Sequence, residues 1–142
     1  MDRFYQGLTT KFKVDILNGR QNIASDTLKM ALYDGYADLN ENTEAYTTTN
    51  EISGVGYTAG GNTLANVTIN STSNGIVYVS FANVVWNPAE FTARGALIYN
   101  STRSNASVAT LDFGSDKTQS GNNTFTVTLP PDTASSALIR IN

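Results

Sequence analysis

The chain of 142 residues has the length of one ordinary domain, and its composition excludes several classes of protein. It contains neither cysteine nor histidine, which rules out disulfide frameworks, the common zinc sites, and the Ser-His and Cys-His nucleophile systems. Nine basic residues against twelve acidic ones give a net charge of −3, so the basic footprint of a nucleic-acid-binding protein is missing. We therefore expect no nucleic-acid partner.

The chain carries few charges, and its polar positions are filled mainly by Thr, Asn, Ser and Gly, a mixture typical of β-sheets and tight turns. The first residues lack the basic region and unbroken apolar run of a secretory signal. The apolar runs are only a few residues long, well short of the roughly 18 residues that a membrane span needs. The sequence thus predicts a protein made in a reducing cytosol and without a membrane partner.

Residues 1–7 are predicted to form an N-terminal arm that is too short to fold by itself. An arm of this kind either packs onto its own domain or reaches a partner. We expect the partner contact here, made by Arg3, Phe4 and Tyr5.

Residues 8–17 are predicted to form an amphipathic helix. Its apolar residues recur near the helical period of 3.6: Leu8, Phe12, Val14, Ile16 and Leu17. Thr9 or Thr10 can cap the start, and Asn18-Gly19 supplies a left-handed stop. We expect the apolar stripe to lie on a sheet.

Residues 27–33 alternate with a period of two and predict a strand, with Leu28, Met30 and Leu32 on one face. The polar, glycine-rich stretch 34–61 that follows predicts a long loop. A long loop has no core of its own to fill, so we expect its Tyr36 and Tyr46 to contact another subunit.

From residue 62 onwards, short apolar segments separated by turn residues predict six further strands, at 64–70, 76–82, 91–99, 107–113, 124–129 and 137–141. The pattern favours an antiparallel β-sandwich or a jelly-roll-like barrel, mainly β with one short N-terminal helix. Both faces of 76–82 are apolar, which predicts a central strand covered on both sides. No repeat or linker divides the chain, so residues 1–142 are expected to form a single domain.

The carboxylates do not form a recognisable catalytic pair. Four glutamates lie in predicted loops or beside a turn: Glu41, Glu44, Glu51 and Glu90. The triplet Asp112-Phe113-Gly114 imitates the metal-binding triplet of protein kinases but lacks its companion motifs, so we interpret it as a strand ending in a glycine turn.

Other candidate ligand sites are equally weak. Asp112, Ser115 and Asp116 offer too few oxygen ligands for calcium. The glycines near Tyr57 do not form a phosphate loop, because no lysine follows them. We therefore predict no catalytic, metal-binding or cofactor-binding residues and expect that the chain is not an enzyme.

Trp86 and Phe91 flank the bend at Asn87-Pro88. Aromatic side chains at such a position either cap the core or anchor an interface. We favour the core, because buried aromatic side chains dominate the cores of small sandwiches.

Several segments, in order along nearly the whole chain, resemble a family of small virion structural proteins of tailed bacteriophages. They are KFKVDILNG at 11–19, SDTLK at 25–29, AYTTTNE at 45–51, GVGYTAGG at 54–61, FTARGALIYNST at 91–102 and LDFGSDK at 111–117. The resemblance implies a structural protein encoded among head and tail genes. It brings no catalytic or binding residues with it.

Small size, low charge, a β-rich fold and this resemblance together lead to the hypothesis of a capsid cement or decoration protein on the outer surface of the virion. Such a protein would bind the major capsid protein and copies of itself, as a homo-oligomer such as a trimer. The arm and the loop 34–61 would supply the contacts. A tail, neck or fibre-attachment component is the alternative within the same particle, and a carbohydrate-binding module is the alternative from another class.

Overall fold

The computed structural model describes residues 4–129, 133 and 135–141, so Arg3 lies outside the described residues. The fold is mainly β with one short N-terminal helix, as the sequence predicts. The elements in chain order are β1 (Gly7–Leu8), α1 (Thr10–Leu17), β2 (Leu28–Tyr33), β3 (Asn62–Thr63), β4 (Thr68–Ser71), β5 (Val77–Ser80), β6 (Val84–Asn100), β7 (Ala106–Val127) and β8 (Ile139–Ile141).

Two antiparallel sheets share the main core. The larger has five strands in the order β1-β7-β6-β2-β3, and the smaller has three in the order β4-β5-β8. Met30 and Ile98 of the larger sheet and Val79 and Ile139 of the smaller one belong to the same buried cluster, which we call the main core. This sandwich-like arrangement agrees with the predicted fold class.

The larger sheet is covered on both faces at its centre. Along β2, Leu28, Met30 and Leu32 point into the main core, as the period-two pattern predicts. The alternate residues Ala31 and Tyr33 belong to a separate buried cluster, which we call the second core. The sheet is therefore the middle layer of the molecule.

Strands β6 and β7 form one long hairpin of 17 and 22 residues. The sequence predicts three separate strands here, at 91–99, 107–113 and 124–129. The prediction is confirmed for 91–99, which lies in β6 and is separated from β7 by the turn at 101–105, but it is wrong for 107–113 and 124–129, which are parts of the single strand β7.

The predicted turn residues within β7 lie at two irregularities in its pairing with β6. Ala93 pairs with Lys117 and Gly95 with Asp112, which leaves residues 113–116 opposite a single residue of β6. A second register shift places residues 120–122 opposite Glu90, between the pairs Ala89–Asn123 and Phe91–Gln119. Gly114 and Gly121, at φ +79° and +71°, turn the backbone within these bulges. Bulges accommodate extra residues without ending a ladder.

Helix α1 keeps the predicted caps but buries less than its sequence predicts. The Phe12 N–H donates to the hydroxyl of the N-cap residue Thr9, and Gly19 follows the C-cap with φ +70°. Phe12 is buried, whereas Val14 is 47% and Leu17 88% exposed. The predicted stripe is confirmed for Phe12 and Ile16, which pack against the main core, and is wrong for Val14 and Leu17, because so short a helix turns only one narrow face to the sheets.

The small sheet confirms one half of the prediction for 76–82 and corrects the other. Strand β5 is central in its sheet, between β4 and β8. Of its residues only Val79 is buried, and Tyr78 and Ser80 on the opposite face remain partly exposed. The same face of the neighbouring strands is also polar, because Tyr78 pairs with Asn70 of β4 and with Arg140 of β8.

Candidate interaction surface

The N-terminal arm packs onto its own domain, which corrects the expectation that Phe4 contacts a partner. Phe4 is 9% exposed and belongs to the second core, together with Leu39 and Leu97. A Cβ atom on Gly95 would lie 2.6 Å from the Phe4 ring, so the glycine leaves the space that the ring fills. Phe4 is therefore a core residue, because the second face of β2 and β6 is apolar and needs a cover.

Tyr5 is only partly exposed and is held along its backbone. Its N–H donates to the Leu39 carbonyl at 2.8 Å, and its carbonyl accepts from the Thr110 hydroxyl. Its ring lies above Gly7, where a Cβ atom would come within 3.1 Å. Contact of Tyr5 with a partner stays a prediction.

Tyr46 also serves the protein itself, because its ring stacks on Tyr99 with centroids 4.7 Å apart. The residue is partly buried and packs against the second core. Its hydroxyl donates to Glu51 Oε1 at 2.6 Å. The expectation that loop tyrosines have no core to fill is wrong for Tyr46, since the loop builds a core against the sheet.

Glu51 fastens the loop 34–61 through both of its oxygens. Oε2 accepts from the Tyr57 hydroxyl at 2.5 Å and from the Gly60 N–H at 2.8 Å, in addition to the Tyr46 bond on Oε1. Burial raises the pKa of Tyr57 and of Tyr46 far above the usual value, and the bond to the carboxylate raises it further. Both phenols are therefore locked as neutral donors, and Glu51 is engaged in holding the loop.

Tyr36 is the one predicted contact residue that the described structure leaves mostly exposed, at 76%. It lies in the loop 34–61, next to Ala37 and Leu39, which are buried in the second core. Its N–H donates to Asp34 Oδ1 at 2.8 Å, which fixes the start of the loop. Tyr36 thus projects from an anchored base.

The remaining acidic side chains are dispersed. Glu41 and Glu44 are exposed, and Glu90 Oε1 accepts from the Gly121 N–H at 2.9 Å in one of the bulges. Among the described residues, no group of three or more His, Cys, Asp or Glu side chains is placed so that it could hold a metal ion. Asp112 Oδ1 accepts from the Gly114 N–H at 2.8 Å, so this triplet forms a bulge within β7 and the predicted strand end there is wrong.

The sequence-based preference for Trp86 and Phe91 as core residues is confirmed. They are 2% and 6% exposed and meet edge to face, with centroids 6.4 Å apart. Phe125 of β7 contacts both rings. The predicted bend at Asn87-Pro88 is an irregularity inside β6, where the pairing with β7 shifts register between Trp86 and Ala89.

Asp26 is the centre of a second polar network, and its side chain is only 2% exposed. It accepts from Arg103 Nε at 2.9 Å, Asn100 Nδ2 at 2.8 Å and the Asn22 N–H at 2.9 Å. Burial raises the pKa of Asp26, but these donors, with Arg103 first, outweigh burial and lower it from 3.8 to about 2. The network ties the 100–106 turn to the segment before β2.

We predict that Asp26 contributes stability that disappears in acid. Because the pKa is lower in the folded state, the contribution is full above about pH 4 and is lost as the pH falls towards 2. We expect it to be about 1–2 kcal/mol, after allowance for solvent screening at the partly exposed Arg103. Urea unfolding of Asp26→Asn between neutral pH and pH 3 measures it. The exposed Asp116→Asn is the control, and equal pH profiles for the two variants would contradict the assignment.

The register of the small sheet places five apolar side chains on one face. Val79 lies between Ile69 and Ile139, and Val77 pairs with Ile141. Val79 and Ile139 are buried in the main core. Ile69 and Ile141 are 49% and 50% exposed, so the apolar face extends beyond its cover.

This uncovered end opens into a groove of about 380 Å³ between the small sheet and α1, which we call the apolar groove. Phe12 and Ile16 line it from the helix side, and the buried Ile23 completes the apolar lining. The sequence predicts these strands but not the groove, since its walls come from parts of the chain more than 100 residues apart. Contiguous exposed apolar surface marks sites of interaction.

A more polar cleft of about 620 Å³ lies beside the first bulge of the long hairpin. Its lining combines the partly buried Phe113 with Asp112, Asp116, Gln119 and Gln6. The Gln6 side chain accepts from the Asp112 N–H at 2.9 Å, so this wall is held together by the N-terminal segment. The cleft is a second, chemically different surface.

Comparisons with protein-family models, with curated proteins and with solved structures found no match to this chain. Within the part of the chain that the structure describes, no helix is long and apolar enough to span a membrane.

Proposed function

We propose that this chain is a structural protein of a tailed-phage virion, a capsid cement or decoration protein that binds the major capsid protein lattice and copies of itself. The observation that carries the proposal is the apolar groove, a half-exposed apolar sheet face on a protein of few charges. Apolar surface of this kind is typical of protein–protein contacts. The resemblance of the chain to virion proteins supplies the kind of partner.

The hydrogen bonds that two carboxylates accept from the protein itself favour a binding function over a catalytic one. Glu51 and Asp26 each accept three hydrogen bonds from the protein itself and hold a loop or a turn. Such fully engaged carboxylates stabilise a rigid body that can cross-link a lattice. On this proposal the protein acts on the outer surface of the head, and burial of interface area at each contact opposes the internal pressure.

Copy number and location in the particle test the proposal. Quantitative mass spectrometry of purified virions is expected to give hundreds of copies per particle, and electron cryomicroscopy is expected to place the protein on the head. About six or twelve copies, as in one or two rings, would instead assign it to the neck, tail or fibre attachment.

A matched pair of variants tests the role of the groove in that binding. Ile69→Asp places a charge on the apolar face, and we expect at least a tenfold loss of incorporation into particles. Val85→Ser removes a side chain of similar exposure, 45%, that is not part of the groove lining, and should incorporate normally. Normal incorporation of Ile69→Asp would contradict the proposal.

The polar cleft supports carbohydrate binding as a second candidate function. An aromatic side chain next to carboxylate and amide groups suits a small polar ligand with an apolar face. A glycan array is the test. Binding that is lost in Phe113→Ala would support a carbohydrate-binding module, and the absence of binding would remove it.

A further inference from the structure

We propose that two copies of this chain pair through the outer edge of β7, with residues 123–127 of one copy antiparallel to the same residues of the other. The inference rests on the proposed function, in which copies bind one another, and it names the surface and the register of that contact. Because the same strand meets itself, the contact has two-fold symmetry and closes at two copies.

The outer side of β7 is a long open strand edge. Among the described residues, β1 is the strand that pairs with β7 on this side, and it does so only at Thr110 and Ala109. From residue 113 to Val127, no backbone hydrogen bond joins β7 to a described residue outside the long hairpin. The other edge strands, β3, β4 and β8, are only two to four residues long. Unpaired N–H and C=O groups in a row form a template for another strand.

Bulges and charges protect the first part of this edge but not its last part. Before residue 123, the two bulges interrupt β7, and Asp116 and Lys117 carry charges. Residues 123–127 contain neither a charge nor a proline, and none of them is an extra residue in the pairing with β6. Proteins usually block exposed edges with charges, prolines or bulges. An edge without any of these is suited to pairing.

The side chains of 123–127 leave the edge accessible and one face of the strand covered. Phe125 and Val127 are buried in the main core, whereas Thr124 and Thr126 are exposed on the opposite face. The cleft of about 620 Å³ includes residues 125–129 in its lining, so there is open space beside this part of the strand. A further strand can therefore extend the sheet here.

The sequence of this stretch matches itself in the antiparallel direction. When the two-fold axis passes between the two Phe125 residues, Thr124 of each copy lies opposite Thr126 of the other, and Asn123 lies opposite Val127. Paired residues are an even number of positions apart, so this register keeps the apolar side chains on the core face and the threonines on the exposed face. Aromatic pairs and threonine pairs across strands both stabilise a sheet. The self-match therefore favours a second copy of the chain as the partner.

Charge-complementary variants test this register. In Thr124→Lys/Thr126→Lys, lysines would lie opposite lysines across the interface, and Thr124→Glu/Thr126→Glu would likewise oppose glutamates. Sedimentation velocity over a wide concentration range is expected to show dimers for the wild-type protein and at least tenfold weaker dimerisation for each variant alone. An equal mixture of the two variants should form a heterodimer, because opposite charges then face each other at both pairs.

Thr47→Lys/Thr49→Lys is the matched control. It adds the same two charges at exposed positions two residues apart but outside β7, and it should dimerise like the wild-type protein. Circular dichroism melting checks that each variant is folded. Hydrogen exchange of the wild-type protein is a second measurement that needs no variant: the amides of 123–127 should exchange more slowly at concentrations at which the dimer forms.

Several results would overturn the inference: a wild-type protein that stays monomeric at the highest concentration, unchanged dimerisation of Thr124→Lys/Thr126→Lys, or no heterodimer in the mixture. Exchange at 123–127 that slows only on particles would identify a strand of the capsid protein as the occupant, and would overturn it equally. Particle binding is measured separately. Wild-type protein that binds particles as a monomer overturns only this inference, whereas a dimer that binds no particle overturns only the proposed function.

Discussion

Replacement of Gly61 by alanine is expected to lower the free energy of unfolding by about 4 kcal/mol or more, or to prevent folding. Gly61 has φ +77°, and a Cβ atom there would lie 1.7 Å from the Met30 carbonyl oxygen and 2.6 Å from its carbon. Both atoms belong to the backbone of β2, which pairs with β3 at this point. Neither strand can move without breaking the ladder, so the collision cannot be relieved by a side-chain rotation.

Gly75→Ala is the matched control for this prediction. Gly75 has a similar φ of +83°, but a Cβ atom there would have no neighbour within 4 Å. It therefore reports the conformational cost of alanine at positive φ alone, about 1 kcal/mol. Urea unfolding of both variants separates the two effects. Equal losses for Gly61→Ala and Gly75→Ala would contradict the close approach of the loop to β2.

Glu51→Ala is expected to cost about 3 kcal/mol and to loosen the loop 34–61. The variant leaves the hydroxyls of Tyr46 and Tyr57 and the N–H of Gly60 without their acceptor, and each unsatisfied buried group costs about 1–3 kcal/mol before relaxation. The effect should be local. Hydrogen exchange is expected to accelerate in the loop while the long β6–β7 hairpin keeps its protection.

Glu41→Ala tests whether this loss comes from the network and not from removing any acidic residue of the loop. Glu41 is exposed, and the loop uses its carbonyl, which accepts from the Thr10 N–H at 2.8 Å. A change within about 0.5 kcal/mol is expected for this control. A similar loss in both variants would show that Glu51 has no special role.

Features that are set by residues close together in the sequence could be predicted from it. The caps of α1, the alternation of β2 and the burial of Trp86 and Phe91 all follow from local patterns. The mainly β fold class follows from their sum.

The packing of the arm and the loop could have been predicted from a signal in β2. Ala31 and Tyr33 are apolar on the face opposite Leu28, Met30 and Leu32, and a sheet apolar on both faces needs two covers. The segments nearest in sequence that can cover the second face are the N-terminal arm before β2 and the loop 34–61 after it. No local pattern in the sequence predicts the groove, because its lining residues are distant in the sequence and are brought together only by the pairing of the strands.

The place of β1 in the larger sheet determines when this part of the sheet can form during synthesis. Gly7 and Leu8 pair with Thr110 and Ala109 of β7, and the Thr9 hydroxyl bonds to that of Ser107. During synthesis, the residues of β1 can pair only after β7, about 100 residues later, has been made. Pairings so distant in sequence slow the search for the native state, and the apolar faces of β2 stay open meanwhile. We expect nascent chains that end before about residue 110 to lack this pairing and to depend on chaperones for solubility.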